Sequence, residues 1–235
     1  MSAVAPHIVL LEKAMETVGL VGEHGHSLIP QHVLYTWLVM LILIILGWVG
    51  TKKLTLVPGK VQNFFELIVT GMEDFIVANM GERGRGVVFP LLMTLFLFII
   101  FANFMGLIPG CNAPTADLNT NAAMAVIVFI FYNFIGLKTH GAKYIKHFTG
   151  PVILLAPLML PIEFISHLAR PLSLTVRLFG NIFGEELVLI LFFMLLPIVA
   201  TLPIYFLYGL VKTIQAFIFF MLSMIYLKMA YEEAH

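Results

Sequence analysis

Residues 33–50 read VLYTWLVMLILIILGWVG, a run without a single charge and with Trp37 and Trp48 toward its two ends. In hydrocarbon no water pairs with exposed backbone N–H and C=O groups, so an open run of this kind is stable as a helix and as little else. Its length approaches the roughly 20 residues needed to cross a bilayer core of about 30 Å, and the two tryptophans suit the interfaces. Residues 87–109 and 122–137 repeat the pattern, and from residue 151 apolar side chains dominate almost to the C-terminus. The chain is therefore expected to be an all-α polytopic membrane protein. Composition agrees: 60% of residues are hydrophobic and 11% charged, against roughly 25% charged in a soluble domain.

The balance of 13 basic and 13 acidic residues leaves no global pull toward nucleic acid or acidic ligands, so any electrostatic device must be local. With one cysteine, Cys111, the chain has no internal disulfide and no cysteine-based metal cluster. The N-terminal stretch lacks a basic segment followed by an unbroken apolar core, and no removable signal peptide is expected. Residues 61–80, VQNFFELIVTGMEDFIVANM, place Phe65, Ile68, Val69, Met72, Phe75 and Ile76 at helical spacing opposite Asn63, Glu66, Glu73 and Asp74. That pattern predicts an amphipathic helix along the membrane surface.

Between residues 151 and 193 no loop signal occurs. About 43 residues of helix measure some 65 Å, twice a hydrocarbon core, so this segment must tilt steeply or break, with Pro157, Pro161 and Pro171 as places to bend. A tip at 197–203 returns the chain into residues 204–231, giving a hairpin of two oversized helices and about five spans in all. The chain is expected to form a single membrane domain, 1–235: an outer segment (1–32), peripheral spans with the surface helix (33–137) and the hairpin (151–235). Lysine and arginine crowd residues 51–86 and 138–147 and are missing from 110–121 and 196–203. The positive-inside rule then puts the N-terminus outside and the C-terminus in the cytoplasm. No inverted repeat relates the two halves, which disfavours a secondary transporter.

Arginine at the centre of a membrane helix costs about 2.5–3.5 kcal/mol on insertion scales, so Arg177 requires an explanation. On a helix turning 100° per residue, Glu163, Arg170, Arg177 and Gly184 share one stripe, with Ser173 and Asn181 one turn to either side of Arg177. Glu186, nine residues on, points to the opposite side. The returning segment carries Tyr208, Lys212 and Gln215 within about 60° of one another. In an antiparallel hairpin Gln215 comes to the depth of Arg177, and Tyr208 and Lys212 approach Glu185 and Glu186. Intramembrane ionisable groups of this kind mark ion pathways. Simpler roles stand beside that one. Arg170 either snorkels or lines a path, and Glu163 either caps a helix end or lines it. Glu185 and Lys212 form an ion pair, Tyr208 packs as an aromatic, and His167 is an interfacial histidine or a proton carrier.

Other signals are weaker. Glu23, His24, His26 and His32 have metal-ligand chemistry without a metal-site spacing and are expected to be solvated. GERGRG at 81–86 is a turn rather than a phosphate loop. In PTADLNTN, Asp117 and Asn119 suit the start of the next helix, with a place in an outer vestibule as the alternative for Asp117. No constellation for hydrolysis is present.

The block SLTVRLFGNIFGEEL, followed by IQAFIFFMLSMIYLKMAYEEAH, resembles subunit a of the F-type ATP synthase. FFELIV, PTADLN and the position of Glu163 fourteen residues before the arginine extend the likeness over most of the chain. The resemblance implies a non-catalytic, ion-translocating stator subunit with no cofactor, packed against a ring of c subunits and held by b-type peripheral stalk subunits in a bacterial plasma membrane. It implies two half-channels, an essential arginine at Arg177, its polar partner at Asn181, an outer carboxylate at Glu186, a glutamine at Gln215 and an inner carboxylate at Glu163. Tyr208 stands where some bacterial members have histidine. Glu185 and Lys212 are additional charges relative to those members; with Ser173 and Asp117 these residues are auxiliary candidates.

Overall fold

A computed structural model describes residues 30–52, 54–55, 58–108, 111–141, 156–195 and 201–232. They form α1 (Gln31–Thr51), α2 (Lys60–Met80), α3 (Val88–Met105), α4 (Leu118–His140), α5 (Ala156–Leu195) and α6 (Thr201–Glu232), with short 3-10 turns at Gly81–Gly84 and Pro114–Ala116. The protein is an all-α membrane protein, and the described residues contain no strand.

Four of the helices, α1, α3, α4 and residues 203–231 of α6, are long and apolar enough to cross a bilayer. The fifth expected span, α5, carries Glu163, Arg170, Arg177, Glu185 and Glu186 along its length. It is one helix of 40 residues, about 60 Å long at 1.5 Å per residue. The break offered by Pro161 and Pro171 is not taken: helix continues through both. Pro203 lies in the first turn of α6 rather than in the loop, where a missing N–H forfeits no helical bond.

The core is built by α3, α4, α5 and α6. Leu174, Leu178 and Ile182 recur every fourth residue on α5 and pack with Leu95 and Ile99, Met124 and Val128, and Ala216 and Phe219 of the other three helices. Toward the other end Ile76 of α2 joins Leu92, Tyr132, Phe220 and Leu227, with Met72 and Phe75 packed beside it, so α2 is a helix as its periodicity predicts and docks through the later part of its apolar stripe. Its Glu73 accepts from Arg85 Nε at 2.7 Å, clasping the 3-10 turn back onto the helix. The expected turn at GERGRG is thus present, and its Gly81 adopts φ +70°. Peripheral α1 buries only Tyr35 and Val39, against Ala102 and Met105 of α3. Ile44 and Trp48 are 68% and 60% exposed, as suits a surface bathed by lipid.

The third helix stops at Met105, short of the expected 109. At Gly106 a Cβ would come within 2.7 Å of the Ala113 Cβ, so the chain turns where two backbones approach closely. Residues 118–121, read as loop from their polarity, belong to α4, since Asp117 Oδ1 accepts from Asn119 N at 2.8 Å and caps the helix four residues earlier than the hydropathy suggests. Glu23, His24 and His26 lie outside the described residues.

Candidate functional site

The hairpin register is fixed by polar contacts. Asn181 on α5 donates from Nδ2 to Gln215 Oε1 on α6 at 2.6 Å. One turn further along, Lys212 Nζ stands 3.2 Å from Glu185 Oε2, with the two side chains 5% and 9% exposed. The Tyr208 hydroxyl donates to the Glu185 carbonyl oxygen. The antiparallel approach expected from sequence is therefore observed: Gln215 meets the turn after Arg177, and Tyr208 and Lys212 converge on Glu185.

Arg177 lies at the edge of this seam. It precedes buried Leu178 on a helix whose next face, through Val176, Gly180 and Phe183, is exposed. A Cβ at Gly180 or Gly184 would meet nothing within 4 Å. Across from these, Ile214 and Phe217 of α6 are exposed as well. The guanidinium is half-buried beside an open, apolar surface of small and large side chains. Among the described residues its hydrogen bond runs from Nη2 to Ser173 Oγ at 3.5 Å, and no carboxylate pairs with it. Glu186 is exposed on the opposite side of α5, about 13 Å farther along the axis.

The opposite reach of α5 holds a second polar group. His167, 5% exposed, places Nε2 3.4 Å from Glu163 Oε1, and its ring lies 5.4 Å from that of Tyr132 on α4. It is buried beside α4. The Arg170 guanidinium sits over Tyr132 at 5.1 Å and over Tyr226 of α6 at 5.6 Å, so it turns inward onto two aromatic faces instead of snorkelling. A cleft of ≈ 10 Å³ lies among Ala125, Val128, Phe129, Leu174 and the rings of Tyr132 and Tyr226, with Arg170 at its edge.

A third group was not singled out from sequence. Asn121 Nδ2 donates to the Thr115 carbonyl oxygen at 2.8 Å, Thr115 Oγ1 donates to Asn103 Oδ1 at 2.7 Å, and Asn103 Nδ2 donates to the Lys212 carbonyl oxygen at 3.2 Å. All three side chains belong to residues at 0% exposure. The chain of bonds ties the 114–116 turn to the middle of α6. Its signal was visible in Asn103, an amide within an apolar span, where a buried amide without partners would be expensive. Asp117 caps α4 and approaches His32 Nδ1 at 3.4 Å through Oδ2. His32 is thus drawn to the turn, and no group of three or more metal-ligating side chains occurs among the described residues.

The ATP synthase A chain family model matches residues 33–228. The chain belongs to the ATP synthase A chain family. It is 58% identical over 230 residues to the ATP synthase subunit a of Nitratidesulfovibrio vulgaris strain DP4, with 98% of each chain covered. Against the subunit a of Solidesulfovibrio magneticus the identity is 57% over 234 residues, again covering 98% of each. Against that of Oleidesulfovibrio alaskensis it is 54% over 235 residues, the full length of both. Membership in the ATP synthase A chain family agrees with the resemblance carried by RLFGN and QAFIF, and the match spans every helix described above.

Proposed function

We propose that this chain is the ion-translocating stator subunit of an F-type ATP synthase, offering two offset half-channels and an arginine barrier to a ring of c subunits in a bacterial plasma membrane. The observation that carries the proposal is Arg177: a permanent cation beside an open apolar face, paired with no carboxylate among the described residues and adjacent to the Asn181–Gln215 bridge. An isolated charge at such a surface is costly unless an anion from another protein visits it. A carboxylate on each c subunit meets that requirement. In lipid the acid is neutral; facing Arg177 it can ionise.

Arginine does not release its proton at any relevant pH, so Arg177 attracts the carboxylate without passing a proton between the two sides. Protons enter from outside past Glu186, Asn181 and Gln215, neutralise the arriving carboxylate, travel with the ring through lipid and leave near Glu163. Each elementary charge crossing 100 mV supplies about 2.3 kcal/mol, so several must be summed to drive one ATP synthesis. Glu185 and Lys212 neutralise each other inside the hairpin, Tyr208 braces them, and Ser173 steadies the guanidinium. Asp117 sits at the outer turn. In this arrangement α5 supplies the fifth span by crossing at a steep tilt, which fits about 60 Å of helix. The N-terminus lies outside, the C-terminus lies in the cytoplasm, and b-type stalk subunits hold the chain against rotation.

The test is Arg177→Ala in the assembled complex. ATP-driven proton pumping into inverted membrane vesicles should vanish while the complex still assembles. Pumping at the unmodified rate would overturn the proposal.

A further inference from the structure

We propose that His167 and Glu163 form a two-step proton relay on the cytoplasmic side, with His167 a proton-handling residue and not only a packed one. The inference rests on the stator function and names a group which that function leaves unused. His167 is the kind of side chain whose charge changes near neutral pH, and here it is buried at 5% exposure with Nε2 3.4 Å from Glu163 Oε1. Glu163 is more open, its side chain 30% exposed. The pair therefore leads from a covered position on α5 to a more open one, which the proposal assigns to the cytoplasmic end of the path.

The neighbours suit transit more than storage. Arg170, one turn on along α5, holds its guanidinium over Tyr132 of α4 and Tyr226 of α6, and Tyr132 also faces the imidazole. Among the described residues the charged and titratable groups near the ring include Glu163, Arg170, Tyr132 and, beyond Arg170, Tyr226. The Glu163 carboxylate stands where it can receive a proton from Nε2. A small cleft borders Tyr132 and Arg170 on the side toward Leu174, the direction of Arg177 along the helix.

For a proton leaving the ring, the imidazole accepts it at Nδ1 from interior water, the Nε2–H bond breaks as its proton passes to the Glu163 carboxylate, and the imidazole then returns to its Nε2–H tautomer before the next proton arrives. Glu163 releases it to cytoplasmic water, and both groups return to their starting charge. Nothing else is consumed. In the pumping direction the steps reverse.

The experiment uses inverted vesicles carrying the whole complex, whose outer medium is the cytoplasmic side. ATP-driven proton uptake is measured across medium pH and divided by ATPase activity after uncoupling. The relay predicts that His167→Gln, which keeps the size and hydrogen-bonding capacity, lowers the ratio by about a hundredfold and flattens its dependence on medium pH. The exchange E163H/H167E should restore a titrating profile. A His167→Gln complex with unchanged rate and profile overturns the proposal, as does failure of both His167→Gln and His167→Asn to assemble, which would make the residue structural. Failure of the stator function itself is distinguishable, because the unmodified complex would then show no arginine-dependent pumping.

Discussion

Lys212 of α6 and Glu185 of α5 face each other at 3.2 Å in a site from which solvent is almost wholly excluded. Neither charge would be tolerable alone. Removing one partner of a buried pair costs about 3–5 kcal/mol, whereas replacing both by apolar or neutral groups is often harmless. Glu185→Gln and Lys212→Met should therefore each lower the thermal stability of the purified complex, while the double variant recovers most of the loss. Equal, additive losses in a double-mutant cycle would show that the two charges act independently.

The Asn181–Gln215 bond makes a different prediction, because it is a neutral contact beside Arg177. One such bond contributes about 0.5–1.5 kcal/mol. Asn181→Ala and Gln215→Ala should each destabilise modestly, and the double variant should be little worse than either single one. The measurement is a denaturation series on the solubilised complex; fully additive effects would mean that the bond contributes nothing.

Breaking the outer polar chain should be costlier. Asn103→Leu leaves the Thr115 hydroxyl and the Lys212 carbonyl oxygen buried without that partner, at about 1–3 kcal/mol per stranded group. Thr115→Ser, which keeps the hydroxyl, should be much milder. Thermal unfolding of both variants checks the contrast.

At Asp117 two roles can be separated. Asp117→Asn keeps an oxygen for the Asn119 N–H and loses only the charge near His32, so its effect should stay within about 0.5 kcal/mol. Asp117→Ala removes the cap and should cost about 1 kcal/mol. A large effect of the asparagine variant would assign the weight to the ion pair.

Glu186 belongs to the outer pathway in the proposed function. Glu186→Gln should slow proton entry from outside, with ATP synthesis driven by an imposed gradient falling more at high external pH than at low. Unchanged synthesis across external pH would remove Glu186 from that pathway.

Much of this arrangement can be read from residue order because a bilayer leaves few choices. Apolar runs become helices, and their ends follow from where charge resumes; α1 and α6 lie close to their hydropathy limits. The register of α5 against α6 is legible too, since polar side chains inside lipid must find one another and only the antiparallel pairing brings Lys212 to Glu185. What hydropathy misses are the ends set by local bonds: the early start of α4 at its Asp117 cap, and the stop of α3 at Gly106 against Ala113. It also misses helix continuity through Pro161 and Pro171, where proline alone would favour a bend. Asn103 stands out as an amide in an apolar span, but its partners Thr115 and Asn121 belong to other elements and hydropathy does not pair them with it. Burial of His167 depends on Tyr132, a residue with no sequence relation to it.

The two cross-links of the hairpin bear on mechanics as well as chemistry. Four residues back along α5 from Glu185 lies Asn181, and three residues forward along α6 from Lys212 lies Gln215, so both contacts close only at one relative position of the two helices. A slide of one residue, about 1.5 Å, would open both. Greasy interfaces can creep under load; a keyed joint cannot. Shear across the exposed flank thus meets directional bonds, and the arginine keeps its address while force is applied.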